Sequence, residues 1–409
     1  MKKEQFLITK MELEIEFLST GIFHYNQIGL WTKRQVNDKF YGPYSSLFEV
    51  VSPIFYIIRV LGLAPYRFCE NRLVSSNAHL FFSFSAIFIN TYVTIMTFLR
   101  FLNDDDKKIV LTTTERGKES VVSNYFTMMF DLTMTIMTRN QFVIIWNIIQ
   151  DFDYKTNNLG FFQNEKKTKF YSWIILIGSF LIWLYINQTG MYAFMENFVQ
   201  NFSYMYGYIG TGFSVFKFSG IVAILGQRFK HLNKITNDSS SSESTCASSS
   251  KVDQKVLEKL RSDLMKASEK LNSLYYWSLL LWLFNLSFHI ISGIYFFIQW
   301  LKRDDGIVDL IIYCCLGGWI ISFIIQLILL HYACHFTCSE ANRMGYILLN
   351  WRRWQSYHDP KRDFESTIHL MNYKLNFSAG GCCYVNLPLL RKIAGLLTTY
   401  LIILLQLPN

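Results

Sequence analysis

Long apolar blocks separated by charged stretches dominate the chain, at about 79 to 101, 121 to 150, 170 to 195, 204 to 228, 274 to 300, 307 to 335 and 389 to 407. A helix needs about 20 residues to cross a hydrocarbon core of about 30 Å. Helices and closed barrels are the only backbones satisfied there. The pattern predicts an all-α membrane protein with seven transmembrane helices. An eighth block, 46–66, carries Glu49, Pro53, Arg59 and Pro65, which suits an interfacial helix better than a crossing one.

Charge then orients the helices. Residues 229–273 hold eight Lys and Arg and residues 336–391 hold seven, whereas 196–203 and the C-terminal tail hold none. Basic loops face the cytoplasm, so alternation predicts a cytoplasmic amino end and an extracellular carboxyl end. The expected division is a cytoplasmic segment with its interfacial helix (1–78), transmembrane helices 1–4 (79–228) and a cytoplasmic Ser-rich linker with a helix start (229–273). Transmembrane helices 5–6 (274–335), a cytoplasmic helical segment (336–388) and the last helix (389–409) follow. Amphipathic spacing after the linker, in VDQKVLEKLRSDLMKASEKL, and again over 339–387 predicts cytoplasmic extensions that form an assembly bundle.

Composition changes this picture little. The chain of 409 residues is 51% hydrophobic and 17% aromatic. The net charge of +9 lies mostly between the apolar blocks; it reads as topology charge, and no basic stripe with interleaved aromatics points to a nucleic-acid partner. The amino end lacks a continuous apolar region and a small-residue cleavage site, so no secretory signal is expected. Eight Cys, scattered or adjacent as Cys314–Cys315 and Cys382–Cys383, lack the spacing of a disulfide framework and are expected mostly reduced and buried.

The carboxyl end carries a specific pattern: Thr399, Tyr400, five apolar residues Leu401 to Leu405, Gln406 and Leu407. Near the amino end, FYIIRVLGLAPYR (55–67) places Gly62 and Pro65 before the first long block. These two motifs, with the inverted seven-span topology, resemble the insect gustatory receptors, relatives of the odorant receptors. The family closes its C-terminal motif with Phe where this chain has Leu407. The resemblance implies a tastant-gated cation channel in the plasma membrane of sensory neurons, a homotetramer or a heteromer with related subunits, without enzyme chemistry or cofactor. The last helix would line the pore, with Thr399, Ile402 and Gln406 on one side; interhelical hydrogen bonding is the structural alternative for Gln406. The amino-end motif is most similar to the fructose-receptor branch, and Leu401 stands where many other sugar receptors place Glu. A sugar such as fructose, or a bitter compound, is the expected ligand.

The outer halves of the spans offer an aromatic and polar set for such a ligand. It comprises Asn90, Tyr92 and Thr94; Tyr125 and Asp131; Trp183 and Asn187; Tyr204 and Tyr208; His289 and Tyr295; and Asp309, Tyr313 and Trp319. Asp131, a carboxylate inside a span, suits either ligand contact or an ion pair with Arg139 or Lys217. Asn201 heads the glycosylation sequon best placed for use. Acidic residues crowd the predicted outer loops, among them Asp104, Asp105, Asp106, Glu115, Glu119, Asp304 and Asp305, and read mainly as a solvated surface. Two rivals remain. A G-protein-coupled receptor predicts the opposite orientation of the termini. A metal- or haem-dependent membrane enzyme would use the pairs His331–His335 and Cys334–Cys338.

Overall fold

The computed structural model describes residues 46–69, 72–103, 115–163, 165–194, 197–241, 254–301, 307–355 and 372–406, all within the unit Ser45–Asn409. In chain order the elements are α1 (Ser46–Val60), β1 (Tyr66–Cys69), β2 (Arg72–Ser75), α2 (Asn77–Asn103), α3 (Glu115–Met137), α4 (Arg139–Asn158) and α5 (Lys166–Phe194). Then come α6 (Phe198–Ser241), α7 (Gln254–Leu301), α8 (Ile307–Gln355), β3 (Ser378–Ala379), β4 (Cys383–Tyr384) and α9 (Leu387–Gln406). We call upper the end where α2, α5, α7 and α9 finish and α3, α6 and α8 begin.

Among the described residues, α2, α5, α6, α7 and α8 are long and apolar enough to cross a membrane. The first two are peripheral. Phe81 and Phe88 of α2 are each 72% exposed, and Phe180 of α5 66%, a surface that requires lipid rather than water. By contrast α6 is the hub. It packs against α8, α7, α3, α5, α2 and α1, and 78% of its most apolar window is buried. Small residues let its neighbours close in: a Cβ on Gly226 would lie 2.7 Å from the Phe336 ring and from Thr337 Oγ1, and Thr337 Oγ1 donates to Val222 O (2.6 Å). Gly226→Leu is therefore expected to force α6 and α8 apart. Overpacking of about 1–3 kcal/mol should appear as a lower thermal midpoint in detergent and reduced surface expression.

The structure corrects several sequence expectations. The block 121–150 is two helices meeting at Thr138, where the hydroxyl donates to Met134 O (2.7 Å), a back-bond that bends helices. Its lower piece, α4, runs on to Asn158 and buries Phe142, Ile145, Trp146, Ile149, Phe152 and Thr156 along one face, so much of 151–169 is helix and not loop. The interfacial helix expected over 46–66 stops at Val60. There Gly62 takes φ 77°, a left-handed turn that glycine adopts without strain, in a place where a Cβ would sit 2.6 Å from Ala86 Cβ. The chain then forms a β1–β2 hairpin in register Tyr66↔Ser75 to Cys69↔Arg72, clamped by the Asn147 amide on Leu73 N (3.1 Å) and Leu73 O (3.2 Å). The all-α expectation thus yields to a nearly all-helical fold with two small hairpins.

Helices α6, α7 and α8 have 44, 48 and 49 residues, about 66–74 Å at 1.5 Å per residue, roughly twice a membrane core. Helix α6 includes the first three serines of the expected linker, Ser239 to Ser241; 242–253 lie outside the described residues, as do 1–45 and 356–371. At the lower end Asn233 Nδ2 donates to Glu340 O and Oε2 (both 2.9 Å), and Lys155 pairs with Asp263 (3.0 Å). The second hairpin, β3–β4, turns on Gly380 and Gly381 at positive φ and lies on α7: Gly380 N donates to Tyr276 O (2.9 Å) and Ser378 N to Asn272 Oδ1 (3.0 Å). Asn386 then caps α9 through Leu389 N (2.9 Å).

Candidate functional site

Five of the sequence-predicted ligand residues come together in the upper half, between α5, α6, α7 and α8: Trp183, Tyr204, Tyr208, His289 and Trp319. Tyr208 is the centre, with ring centroids 4.8 Å from Trp319, 5.1 Å from His289, 5.4 Å from Tyr204 and 6.0 Å from Phe323. Trp183 meets Trp319 edge-on at 5.4 Å. His289 stacks on Phe323 at 4.9 Å, and its buried Nε2 has no hydrogen-bond partner among the described residues. These edge-to-face and offset contacts are those that aromatic quadrupoles favour. The result is a box of packed rings, with Tyr204 and Trp319 partly exposed, around the unpartnered His289 Nε2.

A polar seam runs down the other side of α6. Asn90 and Asn124 both abut Gly207; Thr211 Oγ1 donates to Asn124 Oδ1 (3.1 Å) and Ser123 Oγ to Asn285 Oδ1 (2.9 Å). Asn90 Nδ2 is buried without a partner among the described residues. Tyr125 stands at the α2–α3 seam, its OH 3.3 Å from Thr91 Oγ1.

Other predicted residues lie apart. Tyr92 is 64% exposed on the outer face of α2, away from the box. Tyr313 OH donates to Trp300 O (3.4 Å) and its ring meets Phe297 at the α7–α8 seam; Tyr295 contacts Phe296 on its own helix. Asp309 belongs to α8, but its side chain lies outside the described set, as do those of Glu115 and Glu119 and the whole of Asp104, Asp105, Asp106, Asp304, Asp305 and Leu407. Asn201 is buried, and its Nδ2 donates to Asn187 O (2.8 Å) and Asn187 Oδ1 (3.1 Å), which leaves a glycan no room on that nitrogen.

Asp131 sits lower, in a small cavity lined also by Ser214, Lys217, Tyr275 and Ser278. It accepts from Trp282 Nε1 (2.8 Å). Neither expected cation bridges it within ion-pair distance among the described residues. Arg139 donates to Asn77 Oδ1 (3.0 Å). Lys217 Nζ donates to Leu63 O (2.7 Å) and lies over the rings of Phe142 (4.6 Å) and Tyr66 (5.4 Å), so the amino-end motif is folded into the core as a lid on this lysine. Trp282 and Phe323 gave no sequence signal, being one more aromatic each in continuous apolar runs.

Further down, Arg228 is fully buried. Its guanidinium grips Asp153 through Nε (3.0 Å) and Nη2 (2.7 Å) and also holds Glu165, tying α6 to α4 and to the start of α5. Burial pushes the Asp153 carboxyl above its ordinary range, and Arg228 opposes the shift. His331 Nδ1 contacts Leu327 O of its own helix (2.8 Å). No group of three or more His, Cys, Asp or Glu able to hold a metal occurs among the described residues.

Helix α9 touches the body, on α7 and α8, through one stripe. Leu389, Leu390, Ile393 and Leu397 pack against the core, and the half-buried Leu401 and Leu405 continue the stripe at every fourth residue. Thr399, Ile402 and Gln406 are exposed. At 100° per residue, Thr399 is turned about 200° from Leu397, so this row lies opposite the docking stripe.

The architecture is that of a multi-pass helical membrane protein organised about one central helix. The family described as 7tm chemosensory receptor matches residues 51–407, and the chain belongs to that family, one of receptors and not of enzymes. Among solved structures, the insect olfactory receptor OR5 from Machilis hrabei is similar at 13% identity and a TM-score of 0.61, over 88% of this chain and 98% of that one. The same receptor in complex with eugenol gives 12% identity and a TM-score of 0.60 over the same shares. At these identities the likeness is one of fold, and it does not favour a G-protein-coupled receptor. No curated protein matches the chain.

Proposed function

We propose that the protein is a gustatory-type receptor that is itself a tastant-gated, non-selective cation channel in the plasma membrane of sensory neurons. In this reading seven helices cross, with the amino end cytoplasmic and the carboxyl end outside. Four subunits, identical or related, surround a pore lined by α9, and the lower ends of α6 to α8 with the β3–β4 hairpin form the assembly bundle.

The observation that carries this reading is the uncovered row on α9. An amide and a threonine turned toward hydrocarbon are costly. Copies of the row around an axis would instead set an Ile402 ring, able to dewet, below a Gln406 ring, able to hydrate ions. The ring box is the ligand site in this reading. Its six side chains include no carboxylate, which favours a compact aromatic or weakly polar tastant, in keeping with a similar receptor solved in complex with eugenol. A sugar is the second reading, supported by the amide of Asn187, one helical turn from Trp183 on α5. Gating requires that the ligand bind the open state more tightly than the closed one.

Whole-cell recording in a cell without other chemoreceptors, over sugars and bitter compounds, tests the reading. Gln406→Ala is expected to change relative cation permeability while leaving the half-maximal ligand concentration unchanged. Robust surface expression with no current to any compound, alone or with related subunits, would overturn it.

A further inference from the structure

A second cavity, of about 120 Å³, lies in the lower half between α1, α4, α5 and α6, apart from the ring box. Its walls are mostly apolar, with Ile54, Phe55, Ile175, Phe216 and Ile221 prominent; Lys217 also lines it, with its ammonium donating to Leu63 O. Its floor is Gly220: a Cβ built there would meet no atom within 4 Å, although α6 is the most buried helix of the fold. The wall is thinnest between α1 and α5, where Tyr171 is 57% exposed and Val51, Ile54 and Ile175 are half-buried. The mouth therefore opens sideways, toward the surface that faces lipid.

The rim at the lower end is basic. Thr168, whose hydroxyl donates to Gln227 Oε1 (2.7 Å), closes the cavity there. Lys167 and Lys169 flank it in sequence, both exposed and neither in an ion pair among the described residues. They stand in the first turn of α5, where the helix dipole adds positive potential. A hydrocarbon slot opening sideways into the bilayer, with cationic side chains at its interfacial end, has the layout of one lipid tail above one anionic headgroup. An apolar cavity of this size holds about a benzene ring, which admits a stretch of a single acyl chain and excludes a fused-ring sterol.

We infer that this cavity is a binding site for an anionic glycerophospholipid, one acyl chain inserted between α1 and α5 over Gly220 and the headgroup on Lys167 and Lys169. Assignment to the cytoplasmic leaflet rests on the topology proposed above; the site itself does not depend on channel activity, and its test reads binding alone.

The test uses the full-length chain in phosphatidylcholine vesicles containing a minor fraction of phosphatidylserine that bears a photoactivatable diazirine in its acyl chain. Adducts are mapped by mass spectrometry after illumination. Labelling is expected to concentrate on the cavity-facing residues of α1, α5 and α6, to fall several-fold in Gly220→Leu, and to fall several-fold when unlabelled phosphatidylserine competes. In the double variant Lys167→Gln, Lys169→Gln the preference over the same probe with a phosphatidylcholine headgroup should vanish. Competition on the unaltered chain keeps the test decisive if Gly220→Leu fails to fold. Adducts spread evenly over the lipid-facing residues of α2 and α5, labelling indifferent to headgroup, or stronger labelling of the same residues by a photoactivatable sterol would each overturn the inference.

Discussion

Arg228→Ala is expected to destabilise the protein by about 3–5 kcal/mol, the usual result of removing one partner from a buried ionic group. Arg228 has no exposed side-chain surface and is held by Asp153 and Glu165, so the truncation strands carboxylates where α4, α5 and α6 meet. Detergent-solubilised protein should show a sharply lower thermal midpoint by size-exclusion fluorescence, with most chains retained inside the cell. Acidity should separate this cause from simple loss of packing. Without the guanidinium, burial and the neighbouring Glu165 charge act on the Asp153 carboxyl with only His231 left to oppose them, and its folded-state pKa lies further above the unfolded one. Such a group favours the fold when protonated and loses that contribution as pH rises through the folded value. The deficit of Arg228→Ala should therefore shrink on acidification, and the triple variant with Asp153→Asn and Glu165→Gln should recover part of the loss at neutral pH. A deficit unchanged from acid to neutral pH would exclude stranded charge as its cause.

Tyr208→Ala should raise the half-maximal ligand concentration more than about tenfold, or abolish the response. Its ring touches those of Tyr204, His289, Trp319 and Phe323, and each aromatic pair is worth about 0.5–1.5 kcal/mol. Loss of two or three such contacts from the ligand-bound geometry amounts to about 1–4.5 kcal/mol, centred well above the 1.4 kcal/mol that separates tenfold steps in affinity. Tyr208→Phe retains the ring and should respond almost as the unaltered receptor does; a normal response in Tyr208→Ala would remove the box from ligand binding. The Ala variant must be compared at equal surface expression, since truncating a buried aromatic costs about 3–5 kcal/mol where neighbours do not collapse.

The long helices were legible because a membrane helix must be apolar over most of its length, and that is a property of composition. Facing was not. Helix α5 is apolar all round, so no moment distinguishes Trp183, which enters the box, from Phe180, which faces outward. For the same reason Tyr92, Tyr295 and Tyr313 looked equivalent to Tyr208. The hairpins escaped notice because two- and four-residue strands carry almost no periodicity, although Gly380-Gly381 was a readable turn signal. Thr138 gave little warning of the bend, since threonine also sits in straight helices. The row Thr399, Ile402 and Gln406 was readable from spacing alone, because there a few polar residues interrupt an apolar helix.

The ring box and α9 share no residue, yet both rest on the same two rods. In α7, His289 belongs to the box while Tyr276 holds the hairpin from which α9 springs; 13 residues separate them, about 20 Å of unbroken helix. In α8, Trp319 and Phe323 stand in the box and Asn342, far below, binds both backbone groups of Leu375 just before that hairpin (2.8 and 3.1 Å). A helix of this length bends little, so a sideways push at the box reaches the hairpin as a tilt of a stiff beam. Helix α9, clamped at its foot and held elsewhere by one narrow stripe, is then the pointer of the instrument: a small angle at its base becomes the largest displacement at Gln406.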